Sequence, residues 1–120
     1  MSISNTVLKT ILAMKQHPKV YLRGDLSYCT VEAYLNGYLT ALGQSYSIDL
    51  EKTIKLWFQK KVNEKTSCAF TTHVENYYGN RTEEDRINTL IDLVAEFFQE
   101  KPEWYQQGFT PECNGSNNQL

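Results

Sequence analysis

The stretch from Thr82 to Phe98 admits one regular structure. Thr82 is placed as an N-cap, where its hydroxyl can accept from a first-turn N–H. Glu83, Glu84 and Asp85 follow in the first turn, where the positive end of the helix dipole favours anions. Ile87, Leu90, Ile91, Val94, Phe97 and Phe98 then recur at intervals of three and four, which is one face of an α-helix. A helix with so apolar a stripe is stable only when other elements cover it, and the remaining chain supplies only further helices.

A first helix is expected over residues 4–16, capped by Ser4 or Asn5. Ile3, Val7, Ile11 and Met14 share its face, and Leu8 and Leu12 widen that face. Pro18 cannot sit in a helix interior, so this helix should end near Gln16 or His17. Val20, Tyr21 and Leu22 are apolar enough to dock on the core, and Gly24-Asp25 reads as a turn. The second helix begins at Ser27 or Thr30 and carries Val31, Leu35, Tyr38, Leu39 and Leu42, with Gly43 as its stop. Tyr38 is therefore expected to be buried, and Tyr28 joins the stripe if Ser27 is the cap. The third covers roughly Asp49 to Glu64, with Ser47 as cap and Leu50, Ile54, Trp57, Phe58 and the stem of Lys61 on one face. The fourth runs from about Ser67 to Tyr78. Phe70, Val74 and Tyr77 form its stripe, His73 lies at the edge, and Gly79-Asn80 closes it. No segment alternates apolar and polar residues over a strand length. The expected fold is all-α, a single-domain bundle of about five helices with short links. It should occupy residues 1–106. Residues 107–120, rich in Gly, Asn, Ser and Gln, read as a flexible tail, although Glu103, Trp104 and Tyr105 can pack back on the bundle.

The stretch HPKVYLRGDLSYCTVEAYLNGYLTAL, His17 to Leu42, carries a resemblance. It is similar to small bacterial proteins found beside polymorphic toxins, including immunity proteins of contact-dependent growth inhibition systems. Their pattern runs basic-Pro-Gly-Met-Tyr-Leu-Gly, then a short loop, then a helix with Gly-Tyr and apolar residues. His17, Pro18, Tyr21 and Leu22 match it, as do Leu35, Gly37, Tyr38 and Leu39. Lys19, Val20 and Arg23 depart from it, standing where the family has Gly, Met and Gly. The match covers about the first third of the chain. It implies a protein that binds a cognate toxin C-terminal domain and neutralises it without catalysis or a cofactor of its own.

At 120 residues the chain is one domain, and burying roughly two thirds of its unfolded surface provides a real core. The net charge of −2 argues against a protein held on phosphates, so no direct nucleic-acid partner is expected. The halves differ: residues 1–60 hold seven Lys/Arg and four Asp/Glu, whereas residues 61–120 hold five and ten. An acidic second half points to a basic protein partner. Cys29, Cys68 and Cys113 lack paired spacing and read as reduced cytosolic thiols. No signal peptide and no membrane span are expected, which implies a cytoplasmic protein.

The chemistry-bearing motifs are sparse. Two histidines and three scattered cysteines make no zinc spacing. Neither GxxxxGK[ST], GxGxxG nor HExxH occurs, and Cys68 and His73 fall on different faces of one helix. The informative feature is a ridge on the fifth helix. At about 100° per residue, Asp85, Asp92, Glu96 and, if the helix continues, Glu103 lie opposite Val94, with Glu100 nearby. Arg86 and Lys101 sit off the ridge line. One reading is an ordinary solvated face. The other is a docking ridge for a protein with a basic cleft, such as a nuclease. The expectation is thus an immunity protein that blocks the active site of a toxin, a nuclease in general and an EndoU-like RNase more narrowly, through Asp85, Asp92, Glu96, Glu100 and Glu103. The alternatives are a regulatory or scaffold helical domain, including as a homodimer, and an enzyme with a site around His73, Tyr77 and Tyr78.

Overall fold

The computed structural model describes residues 3–18 and 26–106. The expected docking of Val20, Tyr21 and Leu22, the turn at Gly24-Asp25, Cys113 and the tail from residue 107 lie outside that range. The described residues form five helices and no strand: α1 (Ile3–Gln16), α2 (Tyr28–Ser45), α3 (Leu50–Val62), α4 (Phe70–Tyr77) and α5 (Glu83–Glu100). The all-α expectation holds.

The hub is α5, which touches each of the other four helices. Leu93 and Ala95 are buried along with Leu90, Ile91, Val94, Phe97 and Phe98. Leu93 and Ala95 lie about 100° to either side of Val94, so the buried arc spans roughly 200°. That is twice the usual stripe, because α1 flanks one side of α5 and α3 the other. Thr82 caps α5 as expected, its hydroxyl accepting from Asp85 N–H at 3.1 Å.

The start of α2 is fixed twice. Ser27, not Thr30, is its cap, with the hydroxyl accepting from Thr30 N–H at 3.2 Å. Tyr28 N–H donates to Glu83 Oε2 at 3.0 Å, so a carboxylate from α5 satisfies one of the orphan donors of α2. Tyr28 itself is buried and donates its hydroxyl to Thr71 O of α4 at 2.6 Å. Burial pushes that hydroxyl's pKa well above its ordinary value, so it stays a donor.

Several local expectations are corrected. Ser4 is inside α1 rather than at its cap, and its buried hydroxyl donates to Pro102 O at 2.6 Å. Leu12 is 43 % exposed, so the apolar face of α1 is narrower than its sequence suggests. Ser47 does not cap α3. It takes the left-handed conformation in the preceding turn, and Asp49 caps instead, accepting from Lys52 N–H at 3.1 Å. Tyr38 is half-buried and stacks parallel to Tyr34 at 6.4 Å, while the buried stripe of α2 runs through Tyr28, Val31, Leu35, Leu39 and Gly43. In α4, which begins only at Phe70, the roles of two residues are exchanged. His73 is 3 % exposed, and Tyr77 is 43 % exposed.

Gly43 does not end α2, which runs on to Ser45. Its role is close approach: a Cβ there would lie 2.5 Å from Ile48 O and 2.9 Å from Leu50 Cβ. Both neighbours belong to the corner that joins α2 to α3, and one is backbone, so neither can turn aside. Gly43→Ala should therefore destabilise by about 1–3 kcal/mol, as overpacking does, despite alanine's better helix propensity. Equilibrium urea denaturation checks this, and a variant as stable as the parent would remove the close-approach account.

Candidate partner-binding surface

Helix α5 concentrates the acidity of the second half of the chain. Residues 83–100 include six carboxylates and one cation, Arg86. Packing determines which of these carboxylates remain available. The last turn of α1 brings Lys15 to Asp92, with Nζ 2.5 Å from Oδ1. On the other flank α3 brings Lys61 to Glu96, and this ion pair raises the Lys61 pKa, chiefly through its hydrogen bond to the carboxylate. Lys61 also lies 5.5 Å from the centre of the Trp57 ring. Glu100 accepts from the Trp57 indole N–H at 2.9 Å, and this bond is the main reason its pKa is lowered. Glu103 does not extend the ridge as a helical residue, because α5 ends at Glu100 and Glu103 lies exposed in the turn that follows.

The five ridge residues therefore divide. Asp92, Glu96 and Glu100 are engaged by neighbouring helices, and Asp85 and Glu103 are exposed at opposite ends of the element. Exposed ion pairs are worth only about 0–1 kcal/mol each, so Lys15 and Lys61 lower the local charge without locking these carboxylates away. A wheel drawn for α5 alone cannot show Lys15, which is 77 residues from Asp92.

The first turns of α5 form a second feature that the sequence reading missed. A cleft of about 340 Å³ opens between them, the end of α1 and the start of α2. Val31, Ile87 and Ile91 supply apolar lining, Glu83 and Glu84 line it from the first turn of α5, and Lys15 lines it from the last turn of α1. Glu83 uses Oε2 on Tyr28 N–H. Glu84 and Asp85 are exposed, and among the described residues no ion pair involves either. Pro18 and Leu26 also line the cleft. The available signal was the acidic triplet followed by Ile87, and it was absorbed by its role in starting the helix.

His73, Tyr77 and Tyr78 do come together. Their rings gather around Phe58 at 4.9, 6.0 and 6.5 Å. His73 Nε2 meets Glu64 Oε1 at 2.7 Å, while Nδ1 is buried with no partner. An imidazole 3 % exposed behind aromatic rings packs the core and is closed to a substrate in this conformation. Among the described residues, no three His, Cys, Asp or Glu side chains converge as metal ligands do, and no helix is long and apolar enough to cross a membrane.

No protein-family model matches the chain, and neither a curated protein nor a solved structure is significantly similar to it.

Proposed function

We propose that this protein is an immunity protein that binds the C-terminal domain of a cognate toxin, a basic nuclease, and blocks its active site. The observation that carries the reading is the charge of α5, six carboxylates against one arginine on the helix at the centre of the bundle. The resemblance of His17–Leu42 to immunity proteins points the same way, and an EndoU-like RNase is the narrower toxin expectation. A nuclease must hold phosphates, so its cleft is basic. An inhibitor that offers carboxylates to that cleft gains fast, salt-sensitive association.

The test is a pull-down and a nuclease assay with the toxin domain encoded by any gene that neighbours the one for this chain. Stoichiometric protein should abolish RNA or DNA cleavage. Asp85→Lys with Glu103→Lys alters only exposed positions and should slow association about tenfold, within the range over which steering acts. The wild-type rate should fall as salt is added. A toxin that stays fully active with excess protein present would end this reading. Inhibition with a charge-independent rate would leave the immunity role in place and remove the ridge from it.

A further inference from the structure

We infer that Lys15 and Lys61 are internal counter-ions of the α5 ridge, which the cations of a docking toxin must displace. This rests on the immunity reading for the identity of the partner, whereas the two ion pairs stand on the structure alone. Asp92 and Glu96 are four residues apart and occupy the middle of the ridge. One is met from α1 by Lys15, with Nζ 2.5 Å from Oδ1, and the other from α3 by Lys61. A cation thus arrives from each flanking helix. The centre of the ridge is neutralised, while Asp85 and Glu103 stay exposed at its ends.

Neither pair is closed off. The side chains of Lys15 and Asp92 are 36 and 56 % exposed, and those of Lys61 and Glu96 are 37 and 35 % exposed. Exposed pairs contribute little to stability, so the lysines can leave without loss of the fold. Lys15 engages a single oxygen, and the Asp92 carboxylate makes no other hydrogen bond among the described residues. An ammonium is a point charge on a flexible stem, whereas a guanidinium grips both oxygens of a carboxylate. An arginine presented by the toxin at the right place therefore displaces either lysine. A polycation without fixed geometry has only charge to offer, and at the centre of the ridge that charge is already balanced. The internal pairs thereby act against unintended basic partners, as specificity requires where attraction alone is indiscriminate. Lys61 is the more firmly held of the two, because its ammonium also lies 5.5 Å from the centre of the Trp57 ring.

Two arms test this, after circular dichroism confirms that each variant folds. Methionine keeps a long apolar stem and removes the charge. In the first arm the full chain is titrated with an octa-arginine peptide by calorimetry at low salt. Lys15→Met with Lys61→Met should bind it about tenfold more tightly than the wild type, because two carboxylates lose their counter-ions. Lys52→Met with Lys65→Met makes the same change in net charge at exposed positions that belong to no ion pair among the described residues. That control should gain about twofold at most, since distant exposed charges are screened. Equal gains for the two double variants, or no gain for the first, would overturn the counter-ion role. In the second arm, association with the toxin domain is followed by stopped flow. Lys61→Met should accelerate it about threefold, within the range over which steering acts, and should not accelerate it in a Glu96→Gln background. A rate that is unchanged or slower with Lys61→Met, or equal acceleration in both backgrounds, overturns the proposal and leaves the immunity reading standing. A toxin domain that does not bind the wild type removes the immunity reading, and the octa-arginine titration then decides the counter-ion role on its own.

Discussion

Replacing Trp104 with alanine should lower the stability of the bundle by about 3–5 kcal/mol, the cost of truncating a fully buried large aromatic. The ring is 0 % exposed although it lies beyond the last helix. It meets Tyr46, Phe98 and Tyr105 with centroids at 5.4, 5.5 and 5.6 Å, all at steep or tilted angles. The short turn that carries it is tied down again where Ser4 of α1 donates to Pro102 O at 2.6 Å. Trp104 thus joins the end of α5 to the corner after α2 and, through its neighbours, to the start of α1. The melting temperature should fall by roughly 10–20 °C for a domain of this size. Trp104→Phe should cost less than Trp104→Ala. The indole N–H is buried without a partner, so removing it forfeits no hydrogen bond and relieves a desolvated donor. Equal losses for the two variants would mean that the packing of an aromatic ring at this position is not what the bundle depends on.

Trp104 also marks where sequence reasoning reaches its limit. The five helices were legible because their stripes recur at helical spacing, and periodicity reports which face of an element is apolar. Thr82 and the Val31–Leu35–Leu39 stripe were readable on those terms. A residue in a turn after Pro102 has no period to read, so its burial could only be entertained. The same limit explains the exchange between His73 and Tyr77. Both border the Phe70–Val74 stripe, and the direction from which α3 approaches decides which of them is covered. Gly43 looked like a stop because glycine often is one, yet here it makes room for Ile48 O. The acidic ridge was legible as a pattern on α5, since Asp85, Asp92 and Glu96 do face away from the core. Its pairing was not, because Lys15 and Lys61 arrive from helices far off in sequence. The cleft beside Glu83 and Glu84 requires three elements and could not be read from any one of them.

Phe58→Ala should also cost about 3–5 kcal/mol, and its effect should be concentrated in α4. Phe58 is 0 % exposed and is the ring on which α4 rests. Phe70 lies 5.7 Å from it at 83°, His73 4.9 Å at 77°, and Tyr77 6.0 Å at 85°. Each edge-to-face pair adds about 0.5–1.5 kcal/mol beyond the area it buries, so the ring is a shared partner whose loss is felt at every turn of the helix. With only eight residues, α4 is far below the length at which a helix persists unaided. Its Ala69 cap makes no side-chain hydrogen bond, so packing is what holds it. Polar ties include the hydrogen bond from Tyr28 to Thr71 O, those from Thr71 Oγ1 and Thr72 Oγ1 to Glu32 at 2.7 and 3.5 Å, that from Asn36 Nδ2 to Thr71 Oγ1 at 3.4 Å, and the contact of His73 with Glu64. These polar bonds are each worth roughly 0.5–3 kcal/mol, the upper end applying to charged partners. They are small beside the loss of this ring, which leaves α4 only these bonds and its packing on α5. Hydrogen exchange at residues 70–77 in Phe58→Ala should therefore accelerate toward the open-chain rate while the amides of α5 retain protection near the new global stability. If α4 and α5 lose protection together, α4 is part of the same cooperative unit. The aromatic cluster would then support the whole bundle rather than one helix of it.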